Sequence, residues 1–114
     1  MNMIRNNVQL AGNLGQNPDV KTLPNGKKVA NFSIACTESR TDAEGRKIET
    51  TQWFRVTAWD GLASIAEKYM VKGKQIAICG KLVNKSWTDK EGKPHHSTEI
   101  NCTDILLLGG RNKD

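Results

Sequence analysis

The chain has 114 residues, which is enough for one domain with a modest hydrophobic core. Its formal net charge of +5 favours a polyanionic partner. The longest aliphatic run, Ile105 to Leu108, is far too short for a membrane span, and the N-terminal residues lack the apolar core of a signal peptide.

Four strands are predicted before the one convincing helix. Alternating or β-branched segments between turn residues are typical of strands, and they occur at Val8–Gly12, Val20–Leu23, Val29–Cys36 and Thr51–Trp59. Pro24-Asn25-Gly26 predicts a hairpin between the second and third strands. The charge-mixed segment Glu38–Glu49 is predicted to be a long, solvated hairpin loop that leads into the fourth strand.

The fourth predicted strand has two different faces, because side chains alternate along a strand. One face, from Phe54 to Ala58, is small and apolar and suits a core. The other carries Trp53, Arg55 and Trp59. The two tryptophans are roughly 20 Å apart at the usual rise of a strand, which suits separate stacking platforms for nucleic-acid bases with a cation between them. The alternative is that both faces are buried and the tryptophans are core residues.

The helix is predicted to begin after Asp60, as its N-cap, and to end near Gly73. Its apolar stripe is assigned to packing and consists of Leu62, Ile65, Ala66 and Tyr69. Two further strands are predicted after it, at Gln75–Trp87 and Thr98–Leu108.

A second basic and aromatic segment follows the helix. Residues 72–93 contain six lysines against two acidic residues. Lys81 and Lys85 share one strand face with Trp87, which repeats the chemistry of the fourth strand. Because bases stack on aromatic rings while phosphates meet cations, the pair of strands favours a single-stranded nucleic acid as the ligand.

The order of elements predicts the fold class. An all-β chain with one helix, in the order strand, hairpin, strand, helix, hairpin, is typical of the OB-fold, a five-stranded Greek-key antiparallel barrel. We predict one such domain over residues 1–110 and a short polar C-terminal end at 111–114.

Signals for an enzyme are weak. The Gly-Lys pairs lack the other residues of a phosphate-binding loop. His95 and His96 are adjacent, so they face opposite sides of a strand and cannot bind one metal ion together. The sequence therefore predicts a binding module, with no catalytic residue, metal site or cofactor.

The three cysteines predict a reducing compartment. Cys36, Cys79 and Cys102 include no Cys-x-x-Cys pair, and their odd number argues against a disulfide framework. Cys79 and Cys102 lie in apolar segments and are expected to be buried thiols. A cytoplasmic location follows from this pattern.

Several short motifs occur in a specific order along the chain. They are Val8-Gln9-Leu10-Ala11-Gly12-Asn13-Leu14-Gly15-Gln16-Asn17-Pro18, Pro24-Asn25-Gly26 with Val29-Ala30-Asn31, Thr51-Gln52-Trp53-Phe54-Arg55-Val56, Tyr69-Met70-Val71-Lys72-Gly73-Lys74-Gln75, Trp87-Thr88-Asp89 with Gly92, and Thr98-Glu99-Ile100. In this order the chain, from about Asn6 to Gly110, resembles the bacterial single-stranded DNA-binding proteins. The resemblance implies an OB-fold homotetramer that binds and protects single-stranded DNA, without sequence preference, in replication, recombination and repair.

The resemblance also implies roles for individual residues. Trp53 and Trp87 match base-stacking tryptophans of the family, and Trp59 matches a stacking aromatic position that is often Phe. The basic positions that meet the DNA backbone are matched by Lys21, Arg55, Lys72 and Lys85. Lys81 is added to this set from the strand alternation.

Three departures from the family pattern are visible. Arg40 stands where the best-known members have a further stacking Trp, and a guanidinium can stack or pair with phosphate. Phe54 stands where the family often has a His near subunit contacts. The chain ends at Asp114 without the family's acidic tail, which recruits replication and repair proteins, so a truncated or naturally tail-less member is expected.

Two alternatives stay open at this point. A primosome-type OB adaptor would chiefly bind replication proteins and bind nucleic acid secondarily, and the three tryptophans count against it. An RNA-binding OB domain would recognise a 2′-hydroxyl, for which the sequence shows no recognisable pattern.

Overall fold

The computed structural model describes residues 5–109, which form six strands and one helix. In chain order the elements are β1 (Val8–Leu14), β2 (Asp19–Thr22), β3 (Lys28–Thr41), β4 (Lys47–Trp59), α1 (Gly61–Tyr69), β5 (Gln75–Thr88) and β6 (Pro94–Leu107). The predicted polar end, 111–114, lies outside the described residues.

Five of the strands close into a barrel in the order β1-β5-β6-β4-β3, and Leu14 of β1 pairs with Ile34 of β3 to complete it. Gly12 permits this closure, because a Cβ atom there would lie 2.1 Å from the carbonyl oxygen of Ala35. β2 flanks the barrel by pairing with β3. The predicted OB-fold is confirmed, although β4 and β6 pair in parallel rather than antiparallel.

The core consists of the inward side chains of these strands. The strands contribute Phe32, Ile34, Val56, Ile76, Ile78 and Ile100, each at most 3% exposed. Helix α1 packs Ala63 and Ala66 into the same core, and Met70 follows them. Burying each large apolar side chain stabilises the fold by roughly 1.5–3 kcal/mol. The outer strand faces are therefore free to carry function.

The apolar stripe of the helix was predicted wrongly at its C-terminal end. Tyr69, assigned to packing, is 52% exposed. Ala63 and Met70 are buried in its place. A helix this short can bury only about two turns, so a small shift of its axis decides which residue at the end of the stripe meets the core.

The predicted start of the helix after Asp60 is confirmed, but the capping hydrogen bond and the C-terminal end differ from the prediction. Asp60 occupies the N-cap position, but its side chain makes no capping hydrogen bond. Instead its carboxylate accepts a hydrogen bond from the backbone N–H of Lys28, with an N···O distance of 3.3 Å. The helix ends at Tyr69, and Gly73, with a φ of 90°, lies in the separate turn before β5.

The segment predicted as a long loop, 38–49, is mostly strand. β3 and β4 stay paired as far as Thr41 and Lys47, so the turn is limited to residues between them. In this turn the Asp42 carboxylate accepts hydrogen bonds from the backbone N–H groups of Glu44 and Arg46. The paired residues beyond the core form a two-stranded ribbon, here called the first arm (37–51).

The β5–β6 hairpin forms a second arm (84–98) with the same kind of turn. The Asp89 carboxylate accepts hydrogen bonds from the backbone N–H groups of Glu91 and Lys93. The strand pairing continues to Thr88 and Pro94, so β6 begins earlier than the predicted Thr98.

A β-bulge interrupts β6. The partners of Cys79 and Gly80 on β6 are two residues apart, and Thr103 is the extra residue between them. The bulge reverses the alternation, because even-numbered residues face the core before it, whereas Ile105 and Leu107 face the core after it.

Candidate nucleic-acid interface

One outer face of the barrel collects most of the predicted binding residues. Paired residues of neighbouring strands lie on the same side of a sheet. Trp59 pairs with Val29, which pairs with Lys21. On β6, Asn101 pairs with Thr57 of β4 on one side and with Lys81 of β5 on the other. We call this surface the platform face and define it by Lys21, Trp53, Arg55, Trp59, Lys81, Lys85 and Trp87.

The three tryptophans of the platform face are exposed. Trp53 is 61%, Trp87 50% and Trp59 39% exposed. The residues between them on the inner side of β4, such as Val56, are buried. The alternative that the tryptophans belong to the core is therefore wrong. Large aromatic side chains left open to water on one face indicate an interaction surface.

Trp53 lies against the backbone of Gly15, in the segment after β1. A Cβ atom at position 15 would lie 2.4 Å from Cζ3 of the indole, so only glycine allows the ring to lie this close. Gly15 does not have a positive φ, so turn geometry does not explain the glycine. No local sequence pattern indicates this role of Gly15 as the support of the ring.

An ion pair lies at the centre of the platform face. The Nζ atom of Lys85 is 3.2 Å from Oε1 of Glu99, whose side chain is only 14% exposed. Ser97 donates a hydrogen bond from its hydroxyl to Oε2 of the same carboxylate, with an O···O distance of 3.2 Å. The positive charge of Lys85 is therefore paired with a carboxylate in the free protein. No sequence pattern indicated a functional role for Glu99.

Lys85 and Glu99 line two concavities of this face. One, of about 170 Å³, is also lined by Trp59 and Asn101. The other, of about 360 Å³, is also lined by Arg55. The predicted residues Trp59, Arg55 and Lys85 are thus brought together from two strands that are separate in the sequence.

Trp87 extends the platform face along the second arm. It pairs with His95 of β6, and the two rings stack with centroids 5.4 Å apart and planes inclined by 15°. Lys81 and Lys85 lie on the same face of β5, both exposed. The sequence alone assigned no role to His95 beyond excluding a shared metal site with His96.

Lys21 lies at the β2 edge of the platform face, and Lys72 lies beside this face. Lys21 on β2 is exposed, and its Nζ atom lies 3.8 Å from a carboxylate oxygen of Asp19. Lys72 precedes β5, and its backbone N–H donates to the side-chain oxygen of Asn17 over 2.8 Å. This hydrogen bond ties Lys72 to the same loop that contains Gly15, beside Trp53.

Arg40 is not brought onto the platform face. It pairs with Ile48 on the first arm. Ala35 pairs with Trp53 and is five residues earlier on β3, so by alternation Arg40 lies on the opposite side of the ribbon from Trp53. A binding role for Arg40 stays a prediction.

Lys74 must be removed from the basic surface that the sequence suggests. It is 4% exposed, and its ammonium donates a hydrogen bond to the backbone carbonyl of Leu108 over 3.0 Å. It joins β5 to the end of β6 and is unavailable to a ligand on the surface.

The cysteines are free thiols. Cys102 is buried as predicted, and burial raises the pKa of its thiol to about 11. Cys79 is only half-buried, because it lies on an outer concavity beside Leu10 and Leu106. Within residues 5–109 no group of three or more acidic, Cys or His residues is placed to bind a metal ion.

The geometry defines a class of protein. A closed OB barrel that presents indole rings, a guanidinium and ammonium groups on one outer face is suited to stack bases and meet phosphates. In the part of the chain that the structure covers, no helix is long and apolar enough to cross a membrane.

Comparisons with known proteins identify the family. The family model described as "Single-strand binding protein family" matches residues 5–108. The chain therefore belongs to the single-strand binding protein family, whose members are non-enzymatic DNA-binding proteins.

Two individual proteins illustrate the relationship. The chain is 41% identical, over 107 residues, to Single-stranded DNA-binding protein 1 of Chlorobaculum tepidum, and the alignment covers 93% of this chain and 66% of that relative. It also superposes on a solved structure of the Plasmodium falciparum SSB complex with ssDNA, with a TM-score of 0.83 and 31% identity. That superposition covers 91% of this chain and 95% of the other.

Proposed function

We propose that this chain binds single-stranded DNA on the platform face, without preference for sequence. The observation that carries the proposal is the exposure of Trp53, Trp59 and Trp87 on one outer surface together with Arg55 and Lys85. Every base has a face that can stack on an indole, so binding of this kind tolerates any sequence. Family membership and the similarity to an ssDNA complex support the same ligand.

The mechanism is binding rather than chemistry. Each stacking platform is expected to contribute roughly 1–3 kcal/mol, while Arg55, Lys72 and Lys81 meet phosphates and release counterions. A strand held this way is covered and protected, which suits replication, recombination and repair. The three free thiols favour a reducing, cytoplasmic setting for this role.

The test is a tryptophan fluorescence titration with oligo-dT at low and high salt, with duplex DNA for comparison. We expect strong quenching by the single strand alone, persisting at high salt. Trp53→Ala should weaken binding by roughly 1–3 kcal/mol without unfolding the protein. Leu82→Ala is the matched control, because Leu82 is a large exposed side chain on the opposite face of β5. Equal binding to duplex, or binding abolished by high salt, would indicate only a basic surface.

We also propose that the chain assembles as a homotetramer, with a second copy covering an apolar surface on β1, β5 and β6. This surface is a concavity of about 680 Å³ whose outward-facing lining includes Ala11, Ala77, Cys79 and Leu106, and Leu106 is 62% exposed. Leu106→Asp should lower the mass measured by light scattering after gel filtration. An unchanged mass would remove this surface from the interface.

A further inference from the structure

Two adjacent histidines near the end of the second arm have different surroundings. His96 faces away from the platform face, and its Nδ1 atom lies 3.1 Å from the hydroxyl oxygen of Ser86. His95 lies on the platform face and stacks under the Trp87 ring, with centroids 5.4 Å apart. The strand alternation that separates these neighbours also makes one a natural control for the other.

The edge of the His95 ring is also held, by a hydrogen bond to the turn. Its Nε2 atom is 2.8 Å from Oδ2 of Asp89 in the turn. The other oxygen of Asp89 accepts the backbone N–H groups of Glu91 and Lys93, each over 2.9 Å. The hydrogen bond from His95, followed by these backbone hydrogen bonds, lowers the pKa of the Asp89 carboxyl. The carboxylate is therefore charged at neutral pH and fixed in position by the turn.

We propose that His95 is a further DNA-binding residue, which positions the Trp87 platform and makes the affinity for single-stranded DNA depend on pH. The proposal rests on the proposed function, because it requires a base to stack on the outer side of Trp87. A ring already held from beneath loses less side-chain freedom when a base binds. His95 thus supports Trp87 much as the Gly15 backbone supports Trp53.

The pH dependence follows from the charge of the imidazole. Histidine is the side chain that ordinarily gains a proton between pH 8 and pH 5. A protonated His95 would bring a cation against the face of Trp87, which strengthens the stack, and add a positive charge to a surface that binds a polyanion. The charged groups around it are Asp89, with Lys90, Glu91 and Lys93 in the same turn, and the Lys85–Glu99 pair lies further along the face.

The experiment measures affinity for labelled oligo-dT by fluorescence polarisation at pH 8 and pH 5.5. For the native protein we expect binding to be tighter at pH 5.5 by roughly twofold to fivefold, the range of an exposed ion pair. His95→Ala should lose this difference and bind more weakly at pH 8. His95→Phe, which keeps a stacking ring but not the charge, should bind normally at pH 8 and lose only the difference.

His96→Ala is the control and should retain the native pH dependence. The proposal is overturned if the native protein shows no pH dependence, if His95→Ala behaves as the native protein at both pH values, or if His96→Ala abolishes the difference equally. Trp87→Ala separates this failure from failure of the proposed function. If Trp87→Ala weakens binding but His95→Ala does not, only the inference about His95 is wrong.

Discussion

At the scale of single residues, Gly15 shows how a backbone position can serve a binding face. In Gly15→Ala the new Cβ would overlap the indole of Trp53, whose Cζ3 lies 2.4 Å away. Since that ring is 61% exposed, we expect it to move rather than the barrel to unfold. Affinity for oligo-dT should fall by up to the roughly 1–3 kcal/mol of one stacking platform. A fluorescence titration measures the loss.

The free energy of unfolding of Gly15→Ala should rise slightly or stay unchanged. Replacing a glycine by alanine where φ is negative restricts the unfolded chain and stabilises by roughly 0.4–1 kcal/mol. Gly61→Ala is the matched control, since no atom lies within 4 Å of a Cβ there, and it should leave DNA binding unchanged. Native affinity in Gly15→Ala would show that the Trp53 ring does not depend on its support.

Glu99 should weaken DNA binding in the native protein. Its carboxylate holds Lys85 at 3.2 Å and would face the phosphates of a bound strand. In Glu99→Gln we expect tighter binding, by roughly 0.2–1 kcal/mol, because Lys85 becomes available. The dependence of log affinity on log salt should become steeper by about 0.7, the value for one further phosphate contact on a single strand.

The control for Glu99 is Glu67→Gln, which removes the partner of Lys28 on the helix, 2.7 Å away, and should change neither quantity. Weaker binding by Glu99→Gln would mean that the carboxylate holds Lys85 in the orientation that DNA requires. In that case Glu99 would be a positioning residue rather than a competitor of the phosphate.

At the scale of elements, the sequence was informative where one strand face is apolar. The apolar inner side of β4, from Phe54 to Ala58, and the shared outer side of Trp53 and Trp59 follow directly from alternation, and the predicted OB-fold is confirmed. The first arm was missed because its residues are polar on both sides and therefore show no alternation. Gly15 and Glu99 were missed because their roles depend on contacts between segments that are distant in the chain, which no local pattern reports.

The bulge in β6 yields a prediction for this scale. Deleting Thr103 would remove the bulge and leave Cys102, Asp104 and Ile105 in regular alternation opposite Gly80, Cys79 and Ile78. Since Ile105 and Leu107 would keep their partly buried positions, we expect the free energy of unfolding to fall by much less than the roughly 3 kcal/mol that exposing both side chains would cost. Denaturant unfolding measures the change. Thr103→Ala keeps the residue count and should be close to neutral, and a loss of the full amount in the deletion variant would show that the barrel requires the bend at the bulge.

At the scale of the whole molecule, stability and ligand binding are assigned to opposite faces of the same strands. The inner faces of β4 and β5 stabilise the barrel, while their outer faces carry Trp53, Arg55 and Lys85. Substitutions on the platform face should therefore change affinity without unfolding the protein, and substitutions in the core should do the reverse. Cys102 provides a test of how a core side chain contributes to stability.

Cys102 links the stability of the barrel to alkaline pH. Burial raises the pKa of its thiol from 9.0 to about 11. Since the folded-state pKa is the higher one, the stabilisation is complete below pH 9 and is lost as the pH rises through 11. Between neutral pH and about pH 10.5 the native protein should lose about 2 kcal/mol of unfolding free energy through this group.

Cys102→Ala should be less stable than the native protein at neutral pH, because a buried group is removed, but it should lose less on going to alkaline pH. The measurement is denaturant unfolding of both proteins at the two pH values. Subtracting the loss of unfolding free energy in Cys102→Ala from the loss in the native protein removes the contributions of the lysines and the tyrosine, which both proteins share. If both proteins lose the same free energy, the thiol ionises no later in the folded state than in the unfolded chain, and the barrel is open to water at this position.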